Sequence, residues 1–442
     1  MSGLSPLALT GIIFGTMLVL MAVRVPIAAS MFAAGSIGYV VQTGWPPFSN
    51  FLNTQAFARF ASYDLSVIPL FILMGHFATK GGLSRSLFDF AAAVMGRFKG
   101  GLAMASLLAC AAFGSISGSS VATAATITSV ALPEMRRHGY SGRLATATLA
   151  AGGTLGIQLP PSIVLVIYAI LTEQNISKLF AAAIVPGLIA MVGYMLAVAI
   201  YVRVRPGHAP DVEAAPPKLT LRMVWGVMPI ALIFFLVFGG IYDGFFTPTE
   251  AAAVGATVTF LTALFKGQMT LAKFRECFYG TAVSAAMIFF IFIGADLMNS
   301  ALALTQVPNQ LAATVGGWGL SPLVVVVAIL LFYVLLGAVM DELSMLLLTI
   351  PIFFPIVMGL DFGMAKESVA IWFGIMVLMT VGFGLIAPPV GLNVYIVNGM
   401  AKGVPMGETY RGVMPFLISD VIRTLLFLFF PIIPLWLVGF IR

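Results

Sequence analysis

Charge is what this 442-residue chain has least of: Asp, Glu, Lys and Arg make up 9% of it, against 60% hydrophobic residues. A soluble globular domain carries roughly a quarter charged residues, so an ordinary cytosolic enzyme is excluded. Cysteine is nearly missing, and Cys110 and Cys277 both lie in or beside apolar stretches. That supports neither a disulfide framework nor a metal knuckle, and both read as packing residues. Of three histidines, His138 and His208 fall in loops, and His76, at the end of an apolar run, reads as an interfacial residue. Also missing are a glycine-rich phosphate loop of Walker spacing and any Ser/His/Asp or Cys/His group. ATP-driven transport and intramembrane hydrolysis within this chain are therefore unsupported, with no catalytic residue and no transition-metal site expected. No Lys or Arg precedes the first apolar run, so no cleavable signal is expected. The net charge of +6 sits in short loops, where it reads as a topology signal and not as a nucleic-acid surface.

What is abundant is apolar length. Runs of about twenty apolar residues span a bilayer, and they recur from Leu7 onward, which predicts an all-α polytopic membrane protein in contact with the lipid bilayer. A β-barrel is set aside, because runs such as 323–336 are continuously apolar. Crossings are expected near 7–23, 25–43, 64–79, 141–171 and 179–202, then near 224–241, 248–265, 278–296, 369–398 and 412–437. Between the third and fourth of each set lies a stretch, 101–132 and 321–358, long enough for two half-crossings. Each reads as a re-entrant hairpin. Non-helical backbone at membrane depth is tolerated only inside protein or beside a wet cavity, so both tips should face an internal site.

The two sets match. Pro26, Gly75, Gly114, Pro160 and Pro186 recur in order as Pro248, Gly294, Gly337, Pro388 and Pro415 at nearly constant spacing. We read 1–204 and 223–442 as two repeats joined by a proline-rich cytoplasmic linker at 205–222. Five crossings per repeat turn the second copy upside down, the inverted-topology pattern of secondary transporters. Placing 80–99, 133–143, 203–222, 266–275 and 399–411 in the cytoplasm, with Arg24, leaves only Arg59, Lys178, Lys366 and Arg442 outside, with Arg423 in the membrane. Both termini then lie outside.

The informative places are the hairpin tips and the Pro-Pro helices. Pro160–Pro161 and Pro388–Pro389 cannot sit in continuous helices, because each proline removes an amide donor and clashes with the preceding turn. Such breaks free carbonyls for Na⁺ and amides for an anion, although a kink that only shapes the bundle is the plainer reading of either alone. Ser117, Ser119 and Ser120 cluster at the first tip, either as site residues or as small residues at a tight helix interface. Asp341 and Glu342 stand at the second tip, where they are either hydrated or one of them serves a cation or proton. Asp296 is expected at the exterior surface, and Asp420 with Arg423 as a structural i, i+3 pair or a contact to a partner subunit.

The stretch 114–123, the glycine-rich approach to Pro160–Pro161, Met340–Asp341 with the following 346–352, and 388–393 together resemble the large membrane subunit of tripartite ATP-independent periplasmic (TRAP) transporters, from about Ile13 to Pro434. The resemblance implies the ion-transporter superfamily fold and an elevator mechanism, in which hairpins and broken helices slide against a scaffold of the remaining spans. It implies Na⁺-coupled uptake of a small acidic solute across a bacterial inner membrane, with a periplasmic substrate-binding protein and a small four-helix membrane subunit as partners. Carried onto this chain, one sodium site involves Gly114, Ser115, Ser117, Gly156, Gln158 and Pro160, and the other Gly337, Asp341, Gly384, Ala387 and Pro388. The solute would lie near Ser119, Ser120, Pro161, Ser162, Ser344 and Asn393. His76 and Glu342 depart from the family pattern. No four-helix block precedes the first span, so the small subunit is expected as a separate chain. Rival readings are a binding-protein-independent dicarboxylate transporter or tricarboxylate large subunit of the same superfamily, and a passive channel.

Overall fold

The computed structural model describes residues 5–210, 219–317 and 319–441. In the first half the helices are α1 (Pro6–Ala22), α2 (Ile27–Thr43), α3 (Trp45–Phe60), α4 (Val67–Lys80), α5 (Leu83–Met95), α6 (Gly101–Ser117), α7 (Ser120–Arg137), α8 (Gly142–Gln158), α9 (Ile163–Thr172) and α10 (Ile176–Val204). In the second they are α11 (Leu221–Tyr242), α12 (Pro248–Phe265), α13 (Leu271–Thr305), α14 (Val307–Gly317), α15 (Pro322–Gly337), α16 (Glu342–Gly359), α17 (Lys366–Gly384), α18 (Leu392–Met400) and α19 (Met406–Phe429). Among the described residues seven helices are long and apolar enough to cross a membrane, or nine if each of two bent pairs counts as one span. The protein is a multi-pass helical membrane protein.

Three helices lie where the sequence reading has loops. α3 carries Asn50, Asn53, Gln55 and Arg59, too polar for a hydropathy window, yet the rings of Phe48 and Phe51 pack at a tilt against Tyr39 of α2, with centroids 6.3 and 5.1 Å away. α5 occupies most of the expected 80–99 loop. Leu83, Leu87, Phe88, Ala91 and Ala92 recur at helical spacing on its buried side, which packs on α6 and α11. α14 follows α13 in the second half. The expected 278–296 crossing is part of the 35-residue α13, matched in the first half by α3 and α4 with a 56° bend between them.

The element order of the first half thus recurs in the second, and packing partners trade places. α2 packs on α13 while α12 packs on α4; α6 lies on α8 as α15 lies on α17; α7 meets α18 as α16 meets α9. α8 and α17 run through the middle: every residue of α8 from Leu144 to Gln158 is buried. Hydrophobic surface on all sides is what a helix needs when protein surrounds it. Buried polar groups at this depth find partners, as when Trp372 Nε1 donates to Phe427 O at 3.0 Å and Tyr168 OH to Ala370 O at 2.6 Å.

Candidate functional site

Both halves build the same local figure from glycine and proline. At the end of α6, Gly118 takes the left-handed conformation (φ +61°), turning the chain so that Ser119 caps α7 by accepting from Ala122 N. α8 stops before the cis Pro160–Pro161 bond, and Ser162 caps α9, which leaves at 41°. Tip and break touch, with Ile163 N donating to Gly118 O at 3.4 Å. In the second half α15 ends at Gly337, and Asp341 caps α16 by accepting from Leu343 N at 3.2 Å and Ser344 N at 3.0 Å. α17 stops before the cis Pro388–Pro389 bond, and Gly391 N donates to Ala338 O at 3.1 Å, the matching tip-to-break bond.

The helix ends meet backbone to backbone. A Cβ on Gly114 would lie 2.5 Å from Gly156 Cα, and one on Gly384 would lie 2.6 Å from Gly337 Cα. In each half two helix C-termini therefore converge, α6 with α8 and α15 with α17, and their last carbonyls carry partial negative charge without intrahelical donors. Beyond each crossing lie N-termini, α7 and α9 in one half and α16 and α18 in the other, some of whose first-turn amides are taken by Ser119, Ser162 and Asp341. One end of this figure suits a small cation and the other an anionic group.

The two tips meet. Ser120 Oγ at the start of α7 donates to Glu342 Oε1 at the start of α16, at 2.9 Å. Glu342 is 6% exposed and its second oxygen has no partner among the described residues, while its neighbour Asp341 is exposed. A cavity of about 530 Å³ opens beside this contact, between the tips and helices α4 and α13. Of the sequence-selected residues, Ser117, Ser119 and Asp341 line it, joined by His76, Ser284 and Glu342. His76 thus lines the cavity that also touches both tips. Its ring lies where a Cβ on Gly280 of α13 would come within 3.0 Å, and α4 lies against the tip so closely that a Cβ on Gly75 would be 3.1 Å from Ser117 Cα.

The other selected side chains have local partners. Ser115 Oγ donates to Ala112 O at 2.9 Å, and Ser117 Oγ bonds Thr123 Oγ1 at 2.8 Å. Asn393 Nδ2 donates to Ala150 O at 3.4 Å, across to α8. Ser344 Oγ is buried and unpartnered among the described residues. Gln158 turns away from the tips: its Oε1 accepts from Arg423 Nη1 at 3.1 Å. Gly156, Pro160, Pro161, Ala387 and Pro388 contribute backbone at the two breaks.

Behind the first break, a polar network crosses the core. Arg423 Nη2 donates to Asp420 Oδ1 at 2.7 Å, Tyr194 OH donates to Asp420 Oδ2 at 3.0 Å, and Tyr194 OH and Thr154 Oγ1 lie 3.2 Å apart. The expected Asp420–Arg423 pair forms, with both residues buried and the guanidinium 5.5 Å from the Tyr194 ring centroid. Asp296, expected at the exterior surface, is bound through both oxygens by Arg59 of α3 at 2.6 Å.

Residues 14–433 match the family described as "Tripartite ATP-independent periplasmic transporter, DctM component". The chain is 37% identical to the C4-dicarboxylate TRAP transporter large permease protein DctM of Pseudomonas aeruginosa, over 87% of this chain and 88% of that one. It is 30% identical to the isethionate TRAP transporter permease protein DctMQ of Oleidesulfovibrio alaskensis, over 97% of this chain and 66% of that one. Its fold is similar to that of the YdaH transporter of Alcanivorax borkumensis, with a TM-score of 0.64 over 95% of this chain and 97% of that one at 15% identity. The chain belongs to the DctM component family of tripartite ATP-independent periplasmic transporters, and it is a transport protein and not an enzyme.

Proposed function

We propose that this chain is the large permease subunit of a Na⁺-coupled importer that takes a small acidic organic solute from a periplasmic binding protein and works with a separate small membrane subunit. The observation that carries this reading is the paired convergence of helix C-termini at Gly114–Gly156 and Gly337–Gly384, where oxygen ends offer two places for a small cation. The N-termini of α7 and α16, joined across the tips by Ser120 and Glu342, offer amides to a solute carboxylate beside the cations. The relatives named above are a dicarboxylate and an isethionate system, so an anion is the shared chemistry and its identity varies within the family. The recurring element order supports two repeats of opposite orientation, 1–204 and 223–442. In this reading the arginine- and lysine-rich loops are cytoplasmic, both termini are periplasmic, and the hairpins with their broken helices move against a scaffold that includes α4 and α13.

Uptake by proteoliposomes tests the proposal. With the binding protein and the small subunit present, an inward Na⁺ gradient drives accumulation, and Ser117→Ala and Asp341→Asn each raise the Na⁺ concentration needed for half-maximal rate. Accumulation by this chain alone would favour the binding-protein-independent reading. Solute flux that ignores the Na⁺ gradient would favour a channel.

A further inference from the structure

Where α10 finishes and α19 begins, a cavity of about 530 Å³ opens between the two helices, away from the tips. Its walls are apolar and outward-facing: Ile200 and Val204 on α10, Met414 and Ile418 on α19, all at least half exposed. On membrane-spanning helices such side chains face acyl chains. The rim is basic. Arg143 from the first turn of α8, Arg205 directly after α10 and Arg411 from α19 converge there from three separate elements.

Glu408 is the acid among them, its Oε2 accepting from Arg143 Nε at 2.6 Å and its Oε1 from Arg411 Nη1 at 3.1 Å. One carboxylate against three guanidiniums leaves the rim positive. The effect reaches a neighbour: burial, and then the charges of Arg143 and Arg205, lower the His208 imidazole from its ordinary range, against a smaller opposing pull from Glu408.

We propose that this groove binds one anionic phospholipid, its phosphate held by Arg205 and Arg411 and an acyl chain lying along the α10–α19 wall. Guanidiniums match phosphate oxygens with paired donors, and basic pockets at the ends of membrane helices hold headgroups. Free phosphate would satisfy the rim and leave the apolar wall bare; a zwitterionic lipid would satisfy the wall and leave the surplus positive charge. An anionic phospholipid satisfies both.

Native mass spectrometry of the full-length chain, purified in mild detergent from membranes, reads this directly. The chain retains phosphatidylglycerol or cardiolipin in preference to phosphatidylethanolamine. In the double variant Arg205→Gln/Arg411→Gln, titration with short-chain phosphatidylglycerol shows affinity lower by roughly thirtyfold, the factor expected for two lost basic contacts to an anionic lipid. Arg411 is largely exposed, so the variant keeps its fold, which thermal unfolding without added lipid verifies. Equal retention of anionic lipid by wild type and variant would overturn the site, as would equal retention of phosphatidylethanolamine. In a second arm, thermal stabilisation by phosphatidylglycerol but not by inorganic phosphate is expected; equal stabilisation by phosphate would reassign the rim to a soluble anion and overturn the lipid.

Discussion

Arg423 and Asp420 are both buried in the core, a costly place for charge. Tyr194 and Arg423 stand at equivalent places after the helix prolines Pro186 and Pro415, so the two halves contribute an aromatic ring and a guanidinium to one stacked contact. Through Thr154 and Gln158 the network grips the last turn of α8, while Gly156 between them presses on the first hairpin. Arg423→Gln leaves the Asp420 carboxylate buried without its counter-charge, a change that costs about 3–5 kcal/mol. Asp420→Asn with Arg423→Gln removes both charges, and we expect the double variant to recover most of the lost thermal stability in detergent; a double variant as unstable as the single one would refute the pairing. The pair itself was legible from i, i+3 spacing. Its link to Gln158 was not, because proline spacing locates a helix break without telling which way the residue before it turns, and that depends on how α8 is rotated against α19.

At the scale of elements, α10 and α19 hold to the broken helices more than the term scaffold suggests. Beside the buried network, Thr146 Oγ1 of α8 and Thr409 Oγ1 of α19 lie 2.9 Å apart, and Arg143 of α8 binds Glu408 of α19. If the tips and broken helices slide as a body, these contacts require α19 to travel with them. A disulfide between Thr146→Cys and Thr409→Cys is therefore expected to leave Na⁺-driven uptake in proteoliposomes intact; uptake lost on oxidation and restored by reductant would show that α19 shifts against α8. The hairpin tips and Pro-Pro breaks were visible in the sequence because Gly and Pro act on the backbone locally. α3, α5 and α14 escaped a reading that weighed hydropathy over crossing lengths. For α5 the signal was present, since Leu83, Leu87, Phe88 and Ala91 recur at helical spacing beside Arg85 and Asp89.

The whole molecule is two chemically similar halves that exchange partners. α2 of the first half is covered by α13 of the second, and α12 of the second by α4 of the first, while α8 and α17 share the centre with contributions from both. Five recurring Gly and Pro positions carry the proposed repeat in the sequence, since Gly and Pro constrain the backbone locally. Which helix covers which is carried by side-chain shape across long sequence separations, and no local pattern reveals it. The exchange has a consequence for folding: neither half can bury its own tightly packed faces, so each depends on the other in the way that single repeats depend on their neighbours. Expressed without the other, 1–210 and 219–442 should each be degraded or aggregate, whereas co-expressed halves should assemble and restore binding-protein-dependent uptake. Accumulation of either half alone as a monodisperse, thermally cooperative species in detergent would show that the halves are independent domains and that the exchanged contacts contribute little to stability.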